Sequence, residues 1–138
     1  MQSDGGIDVK TTIVIADDDA DLRSIYAGLL RHEGHEVHEA ADGREALDLV
    51  ATYHPALLLL DVWMPGLNGF EVLDRLRLDP EASQMKVVML SNMGDSDALL
   101  EGYSSGASDY LVKGISLDDL LLHIRQAINA ESLTGEPV

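Results

Sequence analysis

Cysteine and basic side chains are the two residue classes that the chain lacks or carries in small number. Among its 138 residues there is no cysteine, which excludes a disulfide framework, a thiolate metal site and a cysteine nucleophile. Only 9 Lys and Arg stand against 25 Asp and Glu, for a formal charge of −16. Nucleic-acid phosphates and anionic membrane surfaces require a basic patch, so we expect neither as a direct partner.

Long hydrophobic runs are also missing. The longest unbroken apolar run, Ala56–Leu60, is far shorter than the roughly 20 residues that cross a bilayer. The polar N-terminus has no secretory signal pattern, so we expect a cytoplasmic protein. The length suits one domain, predicted over residues 11–130, with a flexible extension at 1–10 and a C-terminal tail at 131–138.

Short apolar runs alternate with amphipathic stretches five times along the chain. The runs predict strands at Thr12–Ala16, His35–Ala40, Ala56–Leu60, Lys86–Leu90 and Asp109–Val112. The intervening apolar spacing predicts helices near residues 22–30, 46–53, 70–76, 98–103 and 120–128. This alternation predicts an α/β fold in which a parallel sheet is covered by helices on both faces.

The second predicted strand is the polar one, so it belongs at an edge of the sheet. A doubly wound sheet of five parallel strands in the order 2-1-3-4-5, with five helices, places it outermost. That strand order rests mainly on the family resemblance given below.

Polar residues collect where the other four strands end. Asp17–Asp19 follow the first strand, Asp61 the third, Ser91 the fourth and Lys113 the fifth. Doubly wound sheets bind ligands at the carboxyl ends of their strands. Because the first and third strands would be neighbours, about 4.8 Å apart, their carboxylates are expected to share one crevice.

Paired carboxylates in such a crevice have a specific chemical consequence. Two of them about 5 Å apart repel by roughly 3 kcal/mol at an effective dielectric constant of 20, so they hold protons or recruit a cation. Oxygen ligands favour Mg²⁺ or a similar hard ion such as Mn²⁺. An aspartate beside that ion is a suitable nucleophile for a phosphoryl group, whose oxygens Lys113 and Ser91 are placed to contact.

Two other interpretations of the aspartate run remain open on the residues alone. Carboxylates favour helix N-termini, so the run also suits helix capping, with Asp19 or Asp21 as the cap. A phosphohydrolase of the haloacid-dehalogenase type, with Asp17 as nucleophile and Asp19 as acid/base, is the alternative function. Its motif requires Thr or Val where this chain has Asp21, and it requires a longer chain.

Four segments carry a resemblance to a known family: IVIADDDADLR, LLLLDVWMPGLNGFEVL, VVMLSN and GASDYLVKG. They resemble the signatures of the response-regulator receiver domain of two-component signalling, and the similarity runs from about Thr11 to Ala130. The resemblance implies a phospho-accepting module of a phosphorelay. It also implies at most self-catalysed gain and loss of the phosphoryl group, rather than conventional enzyme activity.

The resemblance assigns a role to each residue of the acidic crevice. Asp61 would accept the phosphoryl group from a partner's phosphohistidine. Asp18 would ligate Mg²⁺ directly, Asp17 largely through water, and the Trp63 backbone carbonyl would complete the protein ligands.

The resemblance also implies a switch. Ser91 would move toward the phosphoryl group, Lys113 would contact it, and Tyr110 would turn inward. The face formed by the fourth helix, fifth strand and fifth helix would then select a downstream protein or a second copy of the chain. The partner upstream would be a sensor histidine kinase or a phosphotransfer protein. A receiver-like module that serves only as a docking surface is a further alternative, against which the intact acidic crevice argues.

Four positions depart from the family pattern or bear on its rates. Gly114 follows the lysine where the family usually has proline, commonly after a cis peptide bond, and Asn92 stands where alanine is usual. The bulk of Trp63 and Met93 is expected to change how fast the phosphoryl group is gained or lost. These differences concern rates, since none removes a reacting group.

Overall fold

The computed structural model describes residues 10–92 and 106–130. Nine elements follow one another in that part of the chain. They are β1 (Thr12–Ala16), α1 (Ala20–His32), β2 (Glu36–Ala40), α2 (Gly43–Tyr53), β3 (Leu57–Asp61), α3 (Gly69–Leu78), β4 (Lys86–Ser91), β5 (Asp109–Val112) and α4 (Leu117–Asn129).

The five strands form one parallel sheet in the order β2-β1-β3-β4-β5. This confirms the predicted topology, with the polar strand β2 at an edge. The helix predicted near 98–103, the N-terminal extension short of Lys10 and the tail at 131–138 lie outside the described residues.

Helices cover both faces of the sheet, as a doubly wound fold requires. On one face α1 and α4 bury Leu30 and Ile124 against side chains of the sheet such as Ile15. On the other face α2 and α3 bury Val50 and Leu73 in a second cluster. The central strand β3 is fully buried, because both of its faces pack against helices.

Polar side chains at the helix N-termini fix where the helices begin. Asp19 caps α1 and Ser116 caps α4, which confirms two caps indicated by the sequence. At α3, Asn68 and Glu71 form a reciprocal capping box that the sequence reading had missed. Each cap anchors the loop that runs from a strand end into the following helix.

The strand boundaries differ slightly from the predicted ones. Asp61 and Ser91 are the last residues of β3 and β4 rather than the residues that follow them. Both therefore belong to the sheet ladder, which holds their main chains more firmly than a loop would.

Two large apolar residues of the helices are exposed in the structure. Ile25 of α1 is 55% exposed, and Tyr53, at the end of α2, is 42% exposed. Tyr53 instead stacks on the imidazole ring of His38 in the edge strand, with the ring centroids 3.6 Å apart. Separately, each helix between Lys10 and Asn92 or between Gly106 and Ala130 is too short or too polar to cross a membrane.

Candidate functional site

The carboxyl ends of four neighbouring strands meet at one edge of the sheet. Asp17 follows β1, Asp61 ends β3, Ser91 ends β4 and Lys113 follows β5. Within the described part of the chain, Asp17, Asp61 and Ser91 are the polar or charged residues that are buried, each at most 1% exposed. Burying such side chains is costly unless they are paired, so their collection at one point marks a specialised site.

Lys113 joins the two buried carboxylates. Its ammonium nitrogen lies 3.0 Å from Asp17 Oδ2 and 3.1 Å from Asp61 Oδ1. The lysine thus reaches from the end of β5 to the ends of β3 and β1. The sequence expectation that Asp17, Asp61 and Lys113 share one crevice is met, while their individual roles stay predictions.

Asp18 completes an acidic cluster at this edge. One carboxylate oxygen from each of Asp17, Asp18 and Asp61 lies within 4.8 Å of the others. Asp18 is exposed and gives the cluster an opening to solvent, whereas the other two are buried. Three carboxylates at this spacing form an all-oxygen set that suits a hard divalent ion.

Three buried oxygens of the site are left without hydrogen bonds. Asp17 Oδ2, Asp61 Oδ2 and Ser91 Oγ have no hydrogen-bond partner among the described residues, although Asp17 Oδ2 forms the ion pair with Lys113. Buried polar atoms are normally satisfied, and an unsatisfied one costs about 1–3 kcal/mol. The orphaned oxygens therefore fit a site built for a cation and for an oxygen-rich group that is not part of the chain.

Burial and the charge of Asp17 raise the pKa of Asp61 to about 7, although Lys113 acts in the opposite direction. Burial lowers the pKa of Lys113, but its hydrogen bonds and charge pairing with Asp17 and Asp61 outweigh that effect and raise it. Lys113 therefore stays positively charged at neutral pH. One positive charge among three carboxylates leaves the site with excess negative charge, which favours binding of a divalent ion.

Asp19 takes the capping role that the sequence left open for the aspartate run. Its Oδ1 accepts hydrogen bonds from the amides of Asp21 and Leu22, each at 3.1 Å. Capping therefore belongs to Asp19, while Asp17 and Asp18 are members of the acidic cluster. An Asp19 carboxylate held by two amides is poorly placed for the acid/base role of the phosphohydrolase alternative.

The loop after Asp61 packs tightly against its strand. The Gly69 amide donates a hydrogen bond of 2.8 Å to the Val62 carbonyl, and a Cβ at Gly69 would lie 2.4 Å from the Asp61 carbonyl oxygen. Only glycine allows this approach. The start of α3 thereby buttresses the main chain that carries Asp61.

Trp63 borders the acidic cluster. Its amide lies 3.4 Å from Asp61 Oδ1, and its ring is half exposed and meets Phe70 edge-on. The predicted role of its backbone carbonyl as a metal ligand stays a prediction.

Gly114 shows how the chain accommodates the missing proline. Its φ is +96°, and between Lys10 and Asn92 and between Gly106 and Ala130 no peptide bond is cis. The Ile115 amide closes a turn onto the Val112 carbonyl at 3.2 Å, while the Lys113 amide donates to the Ser91 carbonyl at 2.8 Å. A glycine in the left-handed region thus makes the turn that leads away from the lysine.

Three further positions named in the sequence analysis are Tyr110, Asn92 and Met93. Tyr110 is largely buried in the same core cluster as α2 and α3, so its predicted rotation on activation stays a prediction. Asn92 is exposed at the end of β4, and Met93 lies outside the described residues.

Arg23 is a site neighbour that the sequence reading missed. It donates a hydrogen bond of 2.7 Å from Nη1 to the Asp17 carbonyl and pairs through Nε with Glu39 at 3.1 Å. Its position one helical turn after the cap Asp19 would have pointed it back toward the loop. Nothing in the sequence pattern alone identified Glu39 as its partner.

Comparison with known proteins agrees with this geometry. The family model described as "Response regulator receiver domain" matches residues 13–125. The transcriptional regulatory protein SrrA of Staphylococcus aureus is 34% identical over 126 residues, which cover 91% of this chain and 51% of that protein.

Solved structures show the same relationship. NtrX from Brucella abortus superimposes with a TM-score of 0.85 at 31% identity, covering 91% of this chain and 28% of that one. A CheY-like response regulator receiver domain protein from Methanospirillum hungatei gives a TM-score of 0.82 at 27% identity, covering 92% of this chain and all of that one (100%).

The chain belongs to the response-regulator receiver domain family. It is a phospho-accepting signalling domain of the two-component type, and the family match favours this function over the phosphohydrolase alternative. The chain spans about half the length of the curated relatives that it matches.

Proposed function

We propose that Asp61 is the phosphoryl acceptor of this receiver and that Asp17 and Asp18 hold the divalent ion that the transfer requires. The observation that carries the proposal is the buried Asp61 carboxylate, which lies within 4.8 Å of the other two and is paired with Lys113 through Oδ1. Its Oδ2 accepts no hydrogen bond from the described residues and so remains available to the ion or to phosphorus.

The transfer itself is a displacement at phosphorus. A carboxylate oxygen of Asp61 forms the new bond, the bond from phosphorus to the donor breaks, and its electron pair leaves with the donor. The Lys113 ammonium, which already contacts Asp61, offsets negative charge on the transferred group. The buried Ser91 hydroxyl has no hydrogen-bond partner among the described residues and is available to donate to an oxygen of the phosphoryl group.

Mg²⁺, or Mn²⁺ in its place, is the ion that fits the three carboxylates, with the Trp63 backbone carbonyl as the further protein ligand. When bound, it supplies positive charge that stabilises the phosphoryl group and keeps Asp61 ionised despite its raised pKa. Asp17, which is already engaged by Lys113, would contribute largely through water. The more exposed Asp18 would be the direct ligand.

The phosphoryl group adds about 1.5–2 negative charges, which is sufficient to draw Ser91 toward it. Ser91 ends β4, and its carbonyl accepts a hydrogen bond from the amide of Lys113, which follows β5. A displacement of Ser91 would therefore also displace the end of β5. We infer that this shift, together with Tyr110, changes the face that includes β5 (Asp109–Val112) and α4 (Leu117–Asn129). That face would bind a downstream protein or a second copy of the chain.

Family membership supports a sensor histidine kinase or a phosphotransfer protein as the phosphoryl source, and a cytoplasmic location. SrrA is described as a transcriptional regulatory protein. The formal charge of −16 supports a role for this chain through protein contacts rather than through direct binding of nucleic acid or membrane.

Incubation with acetyl phosphate and Mg²⁺, followed by intact-protein mass spectrometry, tests the proposal. We expect the wild-type chain to gain one phosphoryl group in the presence of Mg²⁺ and none with a chelator. Asp61→Asn should abolish the gain, because an amide is not a nucleophile toward phosphorus. Asp74→Asn, at an exposed position of α3, serves as the matched control and should be phosphorylated as the wild type is.

Mg²⁺-independent labelling would contradict the proposed metal site. Labelling that persists undiminished in Asp61→Asn would contradict the assignment of the acceptor.

A further inference from the structure

A network of charged side chains connects the loop after β1 to the edge strand β2. Arg23 donates from Nη1 to the Asp17 carbonyl at 2.7 Å and from Nε to Glu39 Oε1 at 3.1 Å. The other Glu39 oxygen accepts from Arg31 Nη1 at 3.1 Å, and Arg31 Nη2 donates to the Val37 carbonyl at 2.8 Å. Glu39 is therefore held from two sides, and it holds the Arg23 guanidinium in turn.

The Arg23 hydrogen bond ends on the main chain of the acidic cluster. The Asp17 carbonyl and the Asp18 amide belong to one planar peptide unit, so fixing that oxygen fixes the orientation from which the Asp18 side chain departs. The Asp17 amide is already bound to the Ala40 carbonyl at 3.1 Å. With Arg23 in place, the main chain at Asp17 is held on both sides of its Cα.

Asp18 depends on this main-chain support. In the ranges 10–92 and 106–130, its exposed carboxylate has no hydrogen bond or ion pair of its own. By contrast, the Asp17 carboxylate is held by Lys113 and by the Asp19 amide, the latter at 2.9 Å. The placement of Asp18 toward Asp61 therefore follows from the backbone, and Arg23 is the side chain that fixes that backbone.

Resting on the proposed function, we propose that Arg23 is a positioning residue for the metal site. Through the Asp17 carbonyl it keeps the Asp18 carboxylate directed toward Asp61, and Glu39 holds Arg23 in the orientation that this requires. The Arg23 side chain is 17% exposed, so it is shielded enough for its planar fork to keep one geometry.

The charge of Arg23 and its position predict opposite effects on metal binding. A positive charge close to a cation site repels the ion, so removing it would tighten binding if charge alone mattered. If Arg23 acts by positioning, its removal weakens binding. A lysine at position 23 keeps the positive charge but lacks the planar guanidinium that bonds to the Asp17 carbonyl and Glu39 together. It therefore separates the effect of charge from the effect of positioning.

The experiment measures Mg²⁺ affinity by isothermal titration calorimetry on the full chain and its Arg23→Lys and Arg23→Met variants. We expect both variants to bind Mg²⁺ about tenfold more weakly, the size of effect seen when a group that orients metal ligands is removed. Phosphorylation by acetyl phosphate should require correspondingly more Mg²⁺ but approach the wild-type rate at saturation. Arg75→Met is the matched control, because it removes one arginine at an exposed position of α3 outside this network.

Arg75→Met should keep the wild-type Mg²⁺ affinity within about twofold, since the contact between Arg23 and the Asp17 carbonyl stays intact. Wild-type affinity in Arg23→Lys, or tighter binding in Arg23→Met, would overturn the inference while leaving the proposed function intact. A wild-type chain that binds no Mg²⁺ would overturn the proposed function and this inference together. Circular dichroism and urea unfolding establish that each variant is folded before its affinity is compared.

Discussion

At the scale of single residues, the site places two buried carboxylates beside one ammonium group. Asp61 and Asp17 share Lys113, and Asp61 Oδ2 accepts no hydrogen bond from the described residues. The arrangement costs stability in the absence of a cation, because two negative charges are buried with one positive charge between them. That cost is the physical reason for the raised pKa of Asp61.

The stability of the metal-free protein should therefore depend on Asp61 and on pH. Since burial raises the pKa of Asp61 from its ordinary value of 3.8 to about 7 in the folded chain, the folded state holds the proton more tightly than the unfolded state does. This group's contribution to the free energy of unfolding falls as pH rises from about 4 to about 7 and is constant above that. Asp61→Asn should thus stabilise the chain at pH 8, by on the order of 2 kcal/mol, with the gain shrinking toward pH 4.

Urea unfolding with a chelator present, at several pH values, measures this difference between the two proteins. Other titrating groups largely cancel in the difference. A variant that is less stable than the wild type at pH 8 would contradict the description of Asp61 as a strained, buried charge.

The residue types of the site could be predicted from the sequence, but several of their contacts could not. The sequence predicts that one crevice contains Asp17, Asp61 and Lys113, because the carboxyl ends of parallel strands meet at one edge of the sheet. The contact from Arg23 to the Asp17 carbonyl depends on a side-chain rotamer and on Glu39 in a separate strand. Periodicity in one chain segment carries no information on either.

At the scale of elements, the start of α3 supports the acceptor strand. The apolar spacing of the sequence predicts this helix, and the apolar run before it predicts the end of β3 to within one residue. The sequence could not predict how closely the two backbones approach, since that distance follows from the packing of α3 as a whole. Gly69 lies at the point of contact, against the Asp61 carbonyl.

Gly69→Ala should therefore destabilise the chain by about 2–3 kcal/mol, because the added Cβ would lie 2.4 Å from a backbone oxygen. It should also slow phosphorylation, since the displaced backbone carries Asp61. Gly28→Ala is the matched control: Gly28 lies within α1, where an added Cβ meets nothing within 4 Å.

Gly28→Ala should stabilise the chain by roughly 0.5–1 kcal/mol through helix propensity. Urea denaturation and the acetyl phosphate labelling rate give both quantities for each variant. Equal behaviour of the two alanine variants would show that the close approach at Gly69 does not support the acceptor strand.

At the scale of the whole molecule, cations can act on the chain in two separate ways, through its formal charge of −16 and through its acidic cluster. The net charge produces a diffuse repulsion that any salt screens. The cluster offers three carboxylates to a divalent ion at one place. The sequence predicted both, because composition gives the first and the α/β topology places the second.

Mg²⁺ should consequently raise the Tm more than KCl of equal ionic strength does. At ten times its Kd, a ligand bound only by the folded state adds about 1.4 kcal/mol, or roughly 4 °C for a domain of this size. In Asp17→Asn the difference between the two salts should shrink, since the cluster loses one of its three carboxylates. Differential scanning calorimetry supplies the comparison, and an unchanged Mg²⁺ increment in Asp17→Asn would argue against that residue's place in the site.

The most direct test of the account is to locate the phosphoryl group chemically. Reduction of the labelled chain with borohydride converts an aspartyl phosphate to homoserine, which peptide sequencing by mass spectrometry then finds. We expect homoserine at position 61 alone, and only after labelling in the presence of Mg²⁺. Homoserine at position 17 or 18, or a phosphoryl group that resists borohydride, would contradict it.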